Sequence, residues 1–316
     1  MEKESKIYIA GHRGMVGSAV VRKLKSEGFQ NLVYRKSSDL DLKDQPAVNQ
    51  FFSDEQPEYV VNAAARVGGI MANRDYPWVF LYENLQIQNN IINAAHLADA
   101  QKLIFLGSSC IYPKHADQPL REDSLLTGPL EPTNQWYAIA KITGVKMVEA
   151  LREQFDRDYL SLMPTNLYGP NDNFDLETSH VLPAMIRKFH DAKVAGHSPV
   201  GLWGSGSPMR EFLHVDDVAS AVFFSLTNQM DYELYNVGSG KDITIKHLAE
   251  LIQEIVEHKG KIEWDTSKPD GTPRKLMDVS RMKEEGWAYT VDLEEGVRST
   301  YEWFLENIDD IKEVKL

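Results

Sequence analysis

Short apolar runs alternate with amphipathic stretches through the first half of the chain. Five runs have the length and composition of buried strands, at residues 7–10, 32–34, 59–63, 103–106 and 159–162. Helical patterns lie between them, near residues 15–27, 46–53, 78–99 and 135–155. This alternation predicts an α/β fold, in which a Rossmann-type, doubly wound parallel sheet is covered by helices on both faces.

The alternation becomes less regular beyond about residue 165. Turn-forming residues cluster at 168–173 and 204–208, and a strand and a helix pattern follow at 233–237 and 245–256. We therefore predict a Rossmann domain over residues 1–165, to which some later segments return. A smaller, partly interleaved α/β domain over residues 166–316 would bind the substrate. The acidic end of the chain, 306–314, is expected to be a solvated helix or a frayed terminus.

Charge and composition exclude several classes of partner. The chain has 34 lysines and arginines against 47 acidic residues, a net charge of −13, which argues against binding to nucleic acid or to an anionic membrane. An anionic small molecule would need a local basic pocket. Cys110 is the only cysteine, so neither an intrachain disulfide nor a cysteine-rich zinc site is expected, and we predict no metal. No targeting segment or membrane-spanning run is recognisable, and we expect a soluble cytoplasmic protein.

A glycine-rich turn follows the first predicted strand. Gly11, Gly14 and Gly17 are spaced GxxGxxG, and a helical pattern begins within the turn. Glycine allows a tight turn and a close approach of the backbone to a pyrophosphate, while the helix N-terminus offers unpaired N–H groups. An ordinary glycine-rich turn is the alternative. The position at the first strand–helix junction favours a dinucleotide site.

The residues after the second strand indicate which dinucleotide binds. An acidic residue at this position would bind the ribose diol of NAD, but the chain has Arg35 and Lys36 there. A guanidinium can grip a 2′-phosphate with two charge-assisted hydrogen bonds, and Arg13 adds a further positive charge. We therefore predict that residues 1–165 bind NADPH/NADP+. A solvated strand end is the alternative.

Three side chains suggest a catalytic centre. Tyr137 and Lys141 form Tyr-x-x-x-Lys on a helical pattern, so they share one helix face. A nearby ammonium favours the phenolate and suits tyrosine for acid–base work. Ser108 follows the fourth predicted strand, where doubly wound sheets place their ligands.

Several longer segments carry a family resemblance. Residues 62–65, 107–113, 163–169 and 210–217 resemble the extended short-chain dehydrogenase/reductase family, whose members act on nucleotide sugars. Residues 10–17, 65–70, 131–134 and 179–183 resemble the epimerase-reductases of this family that act on GDP-sugars. The similarity extends from about residue 6 to residue 305.

The resemblance implies a two-part reaction on GDP-4-keto-6-deoxy-D-mannose: epimerisation at C3 and C5, followed by reduction at C4 by NADPH to give GDP-L-fucose. Because the C4 ketone acidifies both neighbouring protons, inversion needs one group to remove a proton and another to deliver one. By resemblance, Cys110 is the base and His180 the acid, and their ordinary pKa values, about 8.5 and about 6.5, suit proton exchange. The alternatives are a small buried apolar cysteine and a plain surface histidine. Ser108 would bind the C4 oxygen, Tyr137 would donate a proton to it, and Lys141 would hold the cofactor ribose.

The resemblance also implies two sets of binding residues and a homodimer that pairs long helices, for which 78–99 and 135–155 are suited. Arg187, Lys188 and Arg210 are the candidates for the local basic pocket, and Trp203 offers a face for a base or sugar. The cofactor set is Gly11, His12, Arg13, Gly14, Met15, Val16, Gly17, Arg35, Lys36, Asp41, Ala63, Ala64, Ala65, Tyr137, Lys141, Pro164, Asn166, Leu167 and His180. The substrate set is Ser108, Ser109, Cys110, Asn166, Val181, Leu182, Arg187, Lys188, Trp203, Arg210 and Asp278.

Two other functions compete with this one. A nucleotide-sugar C4-epimerase or dehydratase on the same fold would recycle a bound NAD and would need no extra acid–base pair, so Arg35, Cys110 and His180 disfavour it. A non-catalytic sensor that binds NADP(H) would not need the complete set of Ser108, Tyr137 and Lys141.

Overall fold

The computed structural model describes residues 1–176, 178–268 and 270–311 of the chain. The strands are β1 (Ile7–Ala10), β2 (Leu32–Val33), β3 (Tyr59–Asn62), β4 (Lys102–Leu106), β5 (Asp158–Pro164), β6 (Asn166–Tyr168), β7 (Val200–Trp203), β8 (Met209–His214), β9 (Leu234–Val237), β10 (Asp242–Thr244), β11 (Ile262–Asp265) and β12 (Arg274–Lys275). The helices are α1 (Met15–Ser26), α2 (Gln45–Glu55), α3 (Ile70–Asp75), α4 (Pro77–Leu97), α5 (Gln135–Phe155), α6 (Val181–Val194), α7 (Val215–Thr227), α8 (Ile245–Val256), α9 (Ser280–Glu284) and α10 (Leu293–Asn307). Short 3-10 turns lie at Ser109–Ile111, Glu122–Ser124 and Ile308–Asp310.

A parallel sheet of six strands forms the centre of the fold, in the order β2-β1-β3-β4-β5-β9. Alternate residues of its strands enter two different cores. In β1, Ile7 and Ile9 pack on the α1 and α7 side, whereas Tyr8 and Ala10 pack on the side of α2, α4 and α5. Because both faces are buried, the strands are almost continuously apolar, as the sequence pattern indicates. The predicted doubly wound α/β fold is confirmed.

The strand order reverses at β1, because the chain places β2 on one side of β1 and then β3 on the other side. In open α/β sheets, ligands bind outside the carboxyl ends of the strands at such a reversal. The glycine turn follows β1, residues 63–65 follow β3, and Ser108 follows β4, so three predicted site segments meet at this edge.

Two smaller sheets lie beyond residue 165. One joins β10, β8 and β12, with β6 beside β8, and the other pairs β11 with β7. A third core, which includes Phe189, Leu248 and Phe304, packs α6, α8 and α10 against these strands. The chain also returns to the central sheet here, because β9 pairs with β5, with Ser161 opposite Leu234. The division into two domains near residue 165 stays a prediction.

The predicted and observed elements agree closely, with differences at their ends. The 78–99 pattern is α4, and α3 precedes it without having been predicted, since its six residues give less than two turns of periodicity. The sequence predicts a solvated helix or a frayed terminus at the acidic end of the chain. Helix α10 ends there at Asn307, and residues 312–316 lie outside the described residues. Within the described part of the chain, no helix is long and apolar enough to cross a bilayer.

Candidate active site

The glycine turn joins β1 to α1 in very close backbone contact. Gly11 has a φ of +81°, and a Cβ there would lie 2.8 Å from the backbone of Ala63 and Ala64. A Cβ on Gly17 would lie 2.2 Å from the Gly11 carbonyl oxygen, so glycine is required at both positions. Gly14 is the N-cap of α1, and no side chain caps this helix. The first N–H groups of α1 therefore lack a side-chain acceptor, and they fit a dinucleotide pyrophosphate.

Basic residues lie near His12 of the glycine turn. The His12 ring stacks on Tyr34, with their centroids 4.6 Å apart. Burial lowers the pKa of His12, and the charges of Arg13 and Lys36 lower it further. The arrangement brings the predicted cations of the loop and of the β2 end into one neighbourhood.

Arg35 is held in place at the end of β2. Its Nη2 lies 2.5 Å from Oε1 of Glu55, its Nη1 donates to the Tyr34 carbonyl at 3.0 Å, and its Cζ lies 5.3 Å from the centroid of the Phe51 ring. The guanidinium is thus fixed by α2 and by the preceding residue, with part of its donor set left for a 2′-phosphate.

Tyr137 and Lys141 lie one turn apart on α5, facing the end of β4. Lys141 Nζ donates to the Leu106 carbonyl at 2.7 Å and lies 5.7 Å from the centroid of the Tyr137 ring. Burial lowers the pKa of Lys141 to about 8. Burial raises the pKa of Tyr137, and a charge on Cys110 raises it further. The phenol therefore stays protonated at neutral pH and is suited to donate a proton. This differs from the expectation that Lys141 favours the phenolate, because desolvation of the buried phenol dominates.

Ser108 and Cys110 occupy the turn directly after β4. The Ser108 hydroxyl accepts a hydrogen bond from the Cys110 N–H at 3.4 Å and begins the 3-10 turn. Cys110 is a free, buried cysteine. Burial raises the pKa of its thiol, and Lys275, the Ser108 hydrogen bond and Lys141 oppose that rise. The cysteine thus faces two cations and the predicted catalytic serine.

His180 is the N-cap residue of α6, and the residue is exposed. Partial desolvation by the surrounding protein lowers the pKa of His180, and the charge of Lys275 lowers it further. The charge of Lys275 therefore acts on both His180 and Cys110, so the two predicted proton-transfer groups lie within the electrostatic range of one cation.

Three cations beyond residue 165 have no acidic partner among the described residues. Burial lowers the pKa of Lys188, Arg210 and Lys275, and none of them forms an ion pair with a carboxylate of a described residue. Lys275 lies opposite Arg210 in the β12–β8 pairing, and Lys188 Nζ donates to the Gly201 carbonyl at 3.1 Å. Desolvated cations without counter-charges are suited to bind an anion.

Two predicted substrate residues are engaged elsewhere. Arg187 Nε lies 3.0 and 2.9 Å from the two oxygens of Asp191 on its own helix. Asp278 Oδ1 accepts from the Ser280 N–H at 2.9 Å, and the Asp278 N–H donates to the Leu120 carbonyl at 2.8 Å. Their hydrogen bonds thus involve none of the three cations. Trp203, by contrast, ends β7 with 61% of its surface exposed.

The other predicted residues follow the ends of the strands. Ala65 lies after β3, Pro164 ends β5, and Asn166 and Leu167 begin β6, where the Asn166 side chain donates to the Glu211 carbonyl at 2.8 Å. The start of α1 contains Met15 and Val16, the 3-10 turn after β4 contains Ser109, and the start of α6 contains Leu182. Val181 is 38% exposed, and Asp41 is exposed and accepts a hydrogen bond from the Lys43 N–H.

Comparison with known proteins decides the family. The model of the NAD dependent epimerase/dehydratase family matches residues 7–238, most of the chain. The chain belongs to this family. The predicted family resemblance is confirmed.

Individual relatives are similar over nearly the whole chain. A putative GDP-L-fucose synthase 2 of Arabidopsis thaliana is 59% identical over 308 residues, which cover 98% of this chain and 94% of the relative. The GDP-L-fucose synthase of Escherichia coli K12 is 53% identical over 316 residues, covering 97% and 98%. The solved structure of a GDP-L-fucose synthetase from Naegleria fowleri bound to NADP is 30% identical, with a TM-score of 0.92 and coverage of 99% and 96%.

Lys275 is a residue of the candidate site that the sequence analysis does not identify. It lies on a two-residue strand, β12, which exists because it pairs with β8. No local periodicity reveals such a strand. The only signal is the adjacent pair of cations, Arg274 and Lys275, and Arg274 instead pairs with Asp242 at 2.5 Å.

Proposed function

We propose that this chain is an NADP-dependent enzyme that converts GDP-4-keto-6-deoxy-D-mannose into GDP-L-fucose. It would invert C3 and C5 and then reduce the C4 ketone. The observation that supports this proposal most is that the charge of Lys275 acts on both Cys110 and His180, while Cys110 follows Ser108 after β4, where Lys141 of the Tyr137 helix also binds. A reductase that does not epimerise its substrate needs neither Cys110 nor His180. The relatives named GDP-L-fucose synthase support the same substrate, including its guanine base.

The cofactor would occupy the carboxyl edge of the sheet. The uncapped N-terminus of α1 would bind its pyrophosphate, and Arg35, with Arg13 and Lys36, would bind the 2′-phosphate. The solved relative bound to NADP supports this choice of cofactor. When bound, NADPH supplies the hydride for the reduction.

Epimerisation would use Cys110 as base and His180 as acid. In the resting protein the raised pKa of Cys110 and the lowered pKa of His180 favour a thiol and a neutral imidazole. Transfer of one proton from the thiol to the imidazole gives the working pair without changing the number of bound protons. Cys110 then removes the proton beside the ketone, and His180 delivers one to the opposite face. Ser108 would hydrogen-bond the C4 oxygen while it carries the enolate charge.

The reduction would follow at the same ketone. A hydride adds to C4, and Tyr137 donates its phenolic proton to the C4 oxygen, so that the carbonyl becomes an alcohol. The raised pKa of Tyr137 keeps this proton available. Lys141, whose pKa of about 8 leaves it mainly charged at neutral pH, would hold the cofactor ribose and stabilise the developing phenolate.

The diphosphate of the substrate would bind the three desolvated cations, Lys188, Arg210 and Lys275, because it supplies the negative charge that they lack. Trp203 would offer its exposed ring to the base or the sugar. Arg187, tied to Asp191, and Asp278 are the weakest members of the predicted substrate set.

We also propose that the enzyme is a homodimer that works in the cytoplasm. Apolar side chains on α4 and α5 support the dimer, because Trp78, Tyr82, Trp136 and Ile139 are 67%, 44%, 39% and 38% exposed. Light scattering coupled to size-exclusion chromatography would test it, and a mass near 36 kDa would contradict it.

Product analysis tests the function. The purified chain is incubated with GDP-4-keto-6-deoxy-D-mannose and NADPH, while absorbance at 340 nm is followed and the sugar is identified by NMR. We expect one NADPH oxidised per GDP-L-fucose formed. Two near-isosteric variants sharpen the result: Tyr137→Phe should lose the reduction, and Cys110→Ser should lose the epimerisation. Cofactor oxidation that yields only unepimerised sugar from the unmodified enzyme would reject the roles of Cys110 and His180. Binding of NADPH without turnover would favour another keto sugar or a sensor.

A further inference from the structure

Side-chain hydrogen bonds close the turn that precedes His180. We call the described residues 173–176 and 178–179 the His180 turn. Asp175 Oδ1 accepts from both the N–H and the hydroxyl of Thr178, each at 2.8 Å. Asn173 Nδ2 donates to the same hydroxyl at 3.0 Å, and the Asp175 N–H donates to Asn173 Oδ1 at 3.0 Å. The Thr178 hydroxyl thus donates one hydrogen bond and accepts another, which fixes its rotamer.

The chain that follows β3 also contacts the His180 turn. The N–H of Gly69, which lies four residues after Ala65, donates to the Thr178 carbonyl at 3.0 Å. A Cβ on Gly69 would lie 3.1 Å from the Ser179 carbonyl oxygen and 3.2 Å from that of Thr178. The two backbones are therefore in close contact, and the turn rests on the chain that leaves β3.

The His180 side chain itself has no such support. No hydrogen bond joins its imidazole to another described residue, and its side chain does not cap α6. Its backbone is fixed on both sides instead: the Ser179 N–H donates to the Asp175 carbonyl at 3.1 Å, and the His180 carbonyl accepts from Ala184 at 3.1 Å. The position of the ring therefore depends on the His180 turn.

We propose that Thr178 and Asp175 are positioning residues that set the His180 imidazole for its proton transfer in the epimerisation. The proposal rests on the proposed function. Loosening the turn would displace the imidazole while leaving the glycine turn, Tyr137 and Lys141 in place. Inversion of the sugar would then slow, and the reduction of unepimerised ketone would continue. A merely structural role would lower both products alike.

The test compares Thr178→Val, which removes the hydroxyl at nearly constant volume, with Thr178→Ser, which keeps it. Full-length enzyme is given GDP-4-keto-6-deoxy-D-mannose and NADPH, and epimerised and unepimerised reduced GDP-sugars are quantified. We expect Thr178→Val to form GDP-L-fucose at least about tenfold more slowly and to accumulate the unepimerised alcohol, with an unchanged Kd for NADPH. Thr178→Ser should restore the wild-type ratio. Thr127→Val is the matched control, since it removes a hydroxyl–carbonyl bond to Ser124 in an exposed turn.

The outcomes separate the two proposals. A wild-type product ratio in Thr178→Val would overturn the positioning role. If that variant no longer binds NADPH, Asp175→Ala, which removes the acceptor of both Thr178 hydrogen bonds, takes its place, and a wild-type ratio there would overturn the role equally. Failure of the unmodified enzyme to make GDP-L-fucose would instead overturn the proposed function itself.

Discussion

Replacing Gly17 with alanine tests the close approach of β1 and α1. The added Cβ would lie 2.2 Å from the Gly11 carbonyl oxygen and 2.6 Å from the carbonyl carbon. A Cβ on Gly14 would lie 3.4 Å from the same oxygen, so the contact made by Gly17→Ala is about 1.2 Å shorter. Both partners are backbone atoms of one turn, so no flexible side chain can yield. The N-terminus of α1 must move away from β1 by about an ångström.

The expected cost has two parts. Overpacking of this kind destabilises by about 1–3 kcal/mol, which lowers the Tm by roughly 2–12 °C in a protein of this size class. The displaced N–H groups also lose one or two hydrogen bonds to the pyrophosphate, each worth about 1.5–3 kcal/mol because the acceptor is charged. The Kd for NADPH should therefore rise at least about tenfold.

Gly14→Ala is the matched control for the fold. Its Cβ would make an ordinary contact, and its backbone angles, φ −78° and ψ 169°, suit alanine. Thermal melts of the protein without cofactor and fluorescence titrations with NADPH measure both effects. We expect a lowered Tm only in Gly17→Ala. Equal melting temperatures and equal cofactor affinities in Gly17→Ala and the unmodified protein would refute the close-contact argument.

Three further predictions concern the cofactor and the proton-transfer pair. Arg35→Ala should lower kcat/KM for NADPH by about 10- to 100-fold and leave NADH little affected, because the 2′-phosphate loses a charge-assisted contact; an equal loss with both cofactors would contradict this. Cys110→Ser should abolish deuterium uptake from D2O at C3 and C5, as NMR of the product would show, and retained uptake would exclude Cys110 as base. The rate of deuterium uptake at C3 and C5 in the absence of NADPH should stay level between pH 6.5 and 9.0, since the resting and working forms of Cys110 and His180 bind equally many protons and this step does not depend on Lys141, whose pKa is about 8. It should fall only below the lowered pKa of His180 and above the raised pKa of Cys110. A midpoint inside that window would reject the pair.

Local patterns predict the central sheet well. β1 is observed at the predicted residues 7–10, and α5 at the predicted 135–155. In both cases the apolar periodicity is strong and the ends are sharply marked: Gly11 takes a positive φ directly after β1, and Asp156 takes the left-handed conformation after α5. The side chains that follow such strands, including Ser108 and Cys110, are therefore located by sequence reasoning.

The second half is less predictable, because its contacts are between residues distant in sequence. β12 has two residues and depends on β8, so neither the strand nor Lys275 follows from local pattern. Arg187 is a different case: an arginine beside Lys188 suggests an anion site, and the structure shows that it forms an ion pair with Asp191 one helical turn away. That spacing, i and i+4, was visible in the sequence and favours an intrahelical ion pair.

The pairing of β9 with β5 limits how this enzyme can be divided or recombined. A fragment that stops near residue 165 would leave the backbone groups along residues 161–164 without their neighbour, and a bare strand edge of this kind invites aggregation. A chimera that exchanges the substrate half with a relative at residue 165 would also join a foreign strand to the native sheet. Grafts that keep α7 and β9 from the parent that supplies β5 should fold, so new sugar specificities are better sought by replacing α6 and the small sheets alone.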